Sequence, residues 1–253
     1  MCGRAYETYT DEELYFRYSS KRTTLPPRSP VYNLCPTMNS PVLRVVSGLR
    51  KFDEMRWQLV PSTEPAFTTK LSTINARSEG VFQSRLYRDL VIRQRCILPL
   101  SGFFEWKKDG QRKRPFKIHL QDDPIMSVAG IWDTWRPGTP DEQSSFSIMT
   151  TAANEFMSGI HDRMPVILGR SDEGAWLDPE VHEKAALQML LKPCPSEWLA
   201  AVEVSTLVNS TRNNTAEVLE RVGGAGMGNR EDCSTNLACF FKAHLTVTRK
   251  VRF

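Results

Sequence analysis

An α+β fold built around a curved, barrel-like, mostly antiparallel sheet with several short flanking helices is what this 253-residue sequence predicts. Short β-type runs outnumber helical ones, and no regular βαβ alternation appears. Asp109-Gly110 also stands between two alternating runs as a hairpin signal. In chain order, Thr10-Asp11-Glu12-Glu13 is a capping box that opens a short amphipathic helix through Leu14, Tyr15, Phe16 and Tyr18. Residues 22–41 hold five prolines and read as irregular connection. Strands are expected at Val42–Val46 and Glu54–Val60, then a helix over Ser84–Gln94 with Leu86, Leu90 and Val91 facing inward. Phe103–Lys108 and Pro115–Leu120 form the arms of the hairpin, with a loop somewhat long for its signal. Further β runs fall at Met126–Trp132, Phe146–Thr151 and Met164–Leu168. Helices are expected at Ala153–Ser158, Asp172–Leu177 and Val181–Leu191, and a last strand at Ala200–Leu207.

The length suits one large domain or two small ones. A chain that is 40% hydrophobic and 25% charged, with 14 glycines and 16 prolines, is ordinary globular material, which excludes collagen, a coiled coil and a wholly disordered chain. No window approaches 18 consecutive apolar residues, so no membrane span is expected. The N-terminus lacks an apolar signal core, so an intracellular, unsecreted protein is expected: cytoplasm or nucleoid in a prokaryote, nucleus in a eukaryote. Six cysteines form no CxxC pair and no zinc spacing, which points to reduced thiols and no metal. Gly223-Gly224-Ala225-Gly226-Met227-Gly228 marks a boundary between a domain over 2–222 and a Gly-rich linker with a C-terminal tail over 223–253, for which disorder is one reading. The net charge is only +4, but residues 85–117 hold ten Lys/Arg against three acids. Such a cluster suits a polyanion, although a solvated basic face is about as good an account of charge alone.

Cys2 is the first candidate for chemistry. Methionine is normally trimmed before a small second residue, so the mature chain is expected to begin with Cys2. A terminal cysteine is a 1,2-aminothiol: its amine, with a reference pKa near 7.7–8.0, is partly neutral at pH 7, and its thiol is a strong nucleophile. The pair can condense with an aldehyde, the amine forming a Schiff base and the thiol then closing a thiazolidine. On position alone, an inert residue in a frayed terminus is the commoner outcome. Glu105 lies in Gly102-Phe103-Phe104-Glu105-Trp106, a carboxylate inside an aromatic strand and so a candidate for proton transfer. Against this stands an outward residue facing water while Phe104 and Trp106 face inward. His161, in Ile160-His161-Asp162-Arg163-Met164-Pro165, suits a loop site, whereas His119, His182 and His244 read as structural. Asn75-Ala76-Arg77-Ser78-Glu79 offers an amide and a guanidinium that could hold a phosphodiester, or merely a turn-forming Asn.

Taken together these segments form an ordered series. Met1-Cys2-Gly3-Arg4, Tyr32-Asn33-Leu34-Cys35-Pro36, Arg56-Trp57-Gln58-Leu59-Val60-Pro61, Ile74 to Glu79, Ser101 to Trp106, Ile160 to Pro165, Val204-Ser205, Val208-Asn209 and Asn213-Asn214 follow one another. The series resembles the SRAP family (SOS-response-associated peptidase domain), the abasic-site shield proteins, over roughly residues 2–222. The resemblance implies single-stranded DNA containing abasic sites as partner, no cofactor and no metal. A monomer is expected, with replication-fork proteins as further candidate partners. It also implies covalent capture of the ring-opened aldehyde through Cys2, in the service of the DNA damage response. Glu105 resembles the family's proton-transfer glutamate and His161 the histidine assisting the same steps. Asn75 resembles the residue positioning the sugar, while Arg4, Arg77, Thr150 and Arg163 fall where family members contact phosphates. Peptidase annotation travels with the family name.

One motif departs from the family pattern. Gln58 stands where the family usually has glycine, and Ser62-Thr63-Glu64 lacks the aromatic that wedges against bases, leaving Phe67 as a substitute from a shifted loop. Stacking is worth about 1–3 kcal/mol per base, so its loss would weaken docking. Two rival functions remain in view. An N-terminal-nucleophile Cys amidohydrolase or peptidase would attack a carboxamide, but the Asn-Gly-Asp or His-Asn-Gly elements of such domains are absent. A non-covalent reader of modified single-stranded DNA would form no stable adduct.

Overall fold

The computed structural model describes residues 2–20 and 28–222; the tail expected over 223–253 lies outside them. Strand β1 (Ala5–Glu7) leads into α1 (Asp11–Tyr18), whose capping box forms as expected, with Thr10 Oγ1 accepting from the Glu13 amide at 3.2 Å. Then come β2 (Val31–Leu34), β3 (Asn39–Val46), β4 (Leu49–Trp57), β5 (Asn75–Arg77), α2 (Arg88–Arg93), β6 (Arg95–Leu100), β7 (Gly102–Asp109) and β8 (Arg112–Leu120). The chain continues through β9 (Met126–Trp135), β10 (Gln143–Ala152), α3 (Glu155–Ser158), β11 (Arg163–Pro165), β12 (Ile167–Leu168), α4 (Arg170–Leu177), α5 (Lys184–Leu190) and β13 (Leu199–Glu203).

Five strands close on themselves: β10, β4, β3, β6 and β9 pair in that order, and β9 returns to β10. The ring is mixed, because β4 runs parallel to β10 while its other pairings are antiparallel. A second, antiparallel sheet runs β13-β8-β7-β1-β2. One apolar cluster joins the two sheets through Ala5, Phe103 and Ile118 on one side and Trp57, Val128 and Phe146 on the other. Another, with Leu14, Tyr18, Val91, Trp176 and Leu187, packs the helices on the ring.

Several expectations are corrected. Residues 22–41 are not all irregular: β2 and the start of β3 lie there, Pro30 and Pro36 flanking β2 rather than breaking it. Pro41 is tolerated because β6 meets β3 only at Leu43↔Ile97. The strand expected to reach Val60 stops at Trp57, since Gln58 takes φ +103°, a region that favours glycine. That conformation costs on the order of 1–3 kcal/mol, and Gln58 holds it while its amide donates to the Phe146 carbonyl at 3.1 Å. The helix expected from Ser84 begins at Arg88, because Ser84 Oγ accepts from the amides of Leu86 and Tyr87 and makes a turn. The helix at 181–191 shortens to α5, and the last strand ends at Glu203, with a 3-10 turn over Thr206–Asn209. The hairpin loop is short, not long: Asp109 pairs with Arg112, and Gly110 supplies φ +58°.

Gly102 sits where β7 meets β1, and a Cβ there would lie 2.4 Å from the Ile118 carbonyl oxygen and 2.5 Å from the Tyr6 hydroxyl. Gly102→Ala should therefore destabilise the protein by about 3 kcal/mol, the upper end of the cost of overpacking. Urea denaturation checks this, and an unchanged midpoint would show that β1 yields without cost.

Candidate active site

The β1–β7 pairing sets the position of Cys2. Ala5 faces Phe103, Tyr6 faces Gly102, and the Phe104 amide donates to the Arg4 carbonyl at 2.9 Å, so the antiparallel register runs on towards Glu105. Cys2 is fully buried. Burial first, and the nearby Glu105 charge second, push its thiol well above the ordinary range, against the lowering effect of the Arg4 amide. The Cys2 carbonyl accepts a 2.9 Å hydrogen bond from Asn75 Nδ2. Asn75 Oδ1 is buried with no protein partner, an acceptor left open beside the bond to Cys2.

Strand β10 organises the other side. Its Ile148 and Thr150 pair with Asn75 and Arg77 of β5, and its Ala152 pairs with Arg163 of β11. Asn75 and Arg77 line a cleft of about 370 Å³ with Ser72, Gly80, Ser84 and Tyr87. Glu105 and His161 line another of about 340 Å³ with Trp106, Lys108, Lys113 and Asn209. Glu105 is only 4% exposed, so it does not face water: both faces of β7 are covered, Phe104 by one apolar cluster and Phe103 by another. His161 Nδ1 lies 3.0 Å from the Arg163 amide and 2.8 Å from Asp162 Oδ1. Asp162 is largely exposed and can swing away, whereas the amide is fixed and needs the Nδ1 lone pair. Nε2 is the other ring nitrogen of a side chain that lines the cleft.

The cationic residues differ in their engagement. Arg77 is exposed at its cleft. Arg163 forks onto Glu79, Nη1 to Oε1 at 2.5 Å and Nη2 to Oε2 at 3.0 Å, and this pairing holds the Glu79 carboxyl below its usual range. Thr150 is fully buried, and its carbonyl and hydroxyl accept from Arg163 at 2.8 and 3.2 Å, so it acts through that arginine. Arg4 is committed to Asn33 Oδ1 at 2.9 Å and the Val208 carbonyl at 2.6 Å, 5.8 Å above the Trp106 ring. Here lies the role of the late Asn motifs: Asn209 Oδ1 accepts from Trp106 Nε1, and Asn214 Oδ1 from the amides of Tyr32 and Asn33. They lock the strands around the N-terminus. Phe67 is packed against Trp135 at 5.9 Å with Arg56 over its ring, so it is no free wedge. Leu71, 51% exposed beside Ser72, is the apolar group its loop presents. Among the described residues no group of three His, Cys, Asp or Glu could hold a metal ion, and no helix is long and apolar enough to cross a membrane.

The model of the family described as SOS response associated peptidase (SRAP) matches residues 1–211. The chain belongs to the SRAP family. It is 36% identical to abasic site processing protein YoaM of Bacillus subtilis over 194 residues, 76% of this chain and 85% of that protein. It is 30% identical to abasic site processing protein YedK of Escherichia coli, over 88% of this chain and all of that protein. A crystal structure of a protein from Bacteroides thetaiotaomicron superposes with a TM-score of 0.74 at 27% identity, covering 87% of this chain and 99% of that one. In this SRAP domain, Glu79 is a residue that sequence reasoning did not single out, for its partner lies 84 positions away.

Glu79 competes with any anion for Arg163. Glu79→Gln should therefore strengthen binding of single-stranded DNA, because Arg163 no longer has to leave a carboxylate before it takes a phosphate. Fluorescence anisotropy measures it; an unchanged affinity would mean that Arg163 does not reach the strand.

Proposed function

We propose that this protein processes abasic sites in single-stranded DNA by capturing them covalently at Cys2 after removal of Met1. What carries this reading is the surroundings of the buried Cys2: Asn75 bonds its carbonyl, the Glu105 charge lies near its thiol, and His161 shares a cleft with Glu105. The Cys2 amine attacks the C1′ aldehyde of the opened deoxyribose and water leaves, giving an imine. Cys2 Sγ then adds to the imine carbon, its proton passing to nitrogen, and a five-membered thiazolidine closes with no change in oxidation state. Glu105 and His161 Nε2 move the protons of ring opening and dehydration. Asn75 Oδ1 accepts from a sugar hydroxyl, Arg77 holds a phosphate directly, and Arg163, steadied by Thr150, holds another once Glu79 is displaced. Arg4 braces the N-terminal strand.

In this order of events the amine adds first and the sulfur closes the ring second. Capture shields the lesion, because a thiazolidine cannot run the β-elimination that an imine promotes. The test is incubation of the purified protein with a single strand carrying one abasic site, followed by a denaturing gel. A heat-stable adduct is expected with that strand alone, and equal adduct on undamaged DNA would overturn the reading.

A further inference from the structure

The β7–β8 hairpin carries charges that the chemistry above does not use. Lys108 and Lys113 face each other directly across the two strands, both are exposed, and neither has an ion-pair partner among the described residues. Like charges in that position repel. The other charges of the hairpin are compensated: Lys107 faces Arg114, but that arginine is held by Glu203 and Asp109, and Asp109 faces Arg112. The uncompensated pair lines the cleft that contains Glu105 and His161. Strand alternation puts Trp106, Lys108 and Lys113 on the face opposite Glu105. The cleft takes lining from both faces, Glu105 from one and Trp106, Lys108 and Lys113 from the other. The one carboxylate in its lining is Glu105, itself buried.

We propose that Lys108 and Lys113 form a second phosphate site, which takes a DNA backbone phosphate on the Glu105–His161 side of the lesion while Arg77 holds the strand on the Asn75 side. This rests on single-stranded DNA being the substrate. A phosphate between the two ammonium groups removes their repulsion, and the strand is then gripped on both sides of the reacting sugar.

The probe is a fluorescent single strand containing a tetrahydrofuran abasic analogue, which binds without crosslinking. Lys108→Gln/Lys113→Gln should lower the log–log salt slope by about 0.7, which amounts to roughly eightfold weaker binding at 50 mM salt, fading towards 1 M. Lys107→Gln/Arg112→Gln, the same charge change at other positions of the hairpin, should produce less than a third of that loss. Neutral methylphosphonates placed one linkage at a time should reveal a single linkage whose neutralisation weakens the wild type but not the Lys108/Lys113 variant. Equal losses in the two variants, an unchanged slope, or no such linkage would overturn the site. Failure of the underlying function looks different: the wild type would then give no denaturation-stable adduct on a true abasic strand, whatever the slopes.

Discussion

Replacing Cys2 with alanine should abolish the heat-stable adduct with abasic single strands, yet leave an adduct that appears when borohydride is present. Alanine keeps the terminal amine, so the imine still forms and hydride can trap it, but no sulfur is there to close the ring. Strand cleavage should rise at the same time, because an untrapped imine eliminates the 3′ phosphate. DNA affinity should hardly move, since Cys2 is buried and the proposed phosphate contacts belong to other residues. The comparison needs one gel with and without borohydride. A heat-stable adduct in Cys2→Ala without reductant would move the attachment to another residue and end the thiazolidine account.

Glu105→Gln should slow both formation and reversal of the adduct by a large part of the 10²–10⁴-fold that general acid–base groups contribute. The substitution keeps the shape of a side chain that is 4% exposed, so loss of the fold is not the expected cause. It also has a second, independent readout. The Glu105 charge is the second cause, after burial, that pushes the Cys2 thiol up, so its removal should draw the thiol back down. Thiolate absorbance during a pH titration would show that shift, and both rates staying at wild-type values would reduce Glu105 to a strand residue.

How much of this could be seen in the residues differs from place to place. The capping box at Thr10–Glu13 and the turn at Asp109-Gly110 are local, and both formed where their chemistry placed them. The strands β1, β2 and β5 hold three or four residues, too few for a period to show, and their partners lie far along the chain. Strand β6, Arg95-Cys96-Ile97-Leu98-Pro99-Leu100, is buried at every position and apolar after Arg95 because both its faces are covered, so it lacks the alternation that marks a half-buried strand. In the site, Cys2, Glu105 and His161 stand out through the reactivity of their side chains. The partners of the cations do not, because they are set by tertiary structure. Arg4 meets Asn33 and Val208 across 29 and 204 positions, and the fork of Glu79 on Arg163 spans 84. The hairpin lysines were legible as charge but not as a facing pair beside the cleft.

The burial of Cys2 has a consequence for the life of the protein between encounters with damage. Peroxides, electrophilic metabolites and soft metal ions all act on thiolates, and they select cysteines that are ionised and reachable. Cys2 is neither, being fully enclosed and held as the neutral thiol. The residue proposed to react with an aldehyde is thus shielded by the fold from the general chemistry of the cell. In the proposed mechanism its discrimination comes from sequence in time: only a reagent that has already joined the terminal amine is delivered to the sulfur. Such a protein can wait a long time without ageing at its own reactive centre.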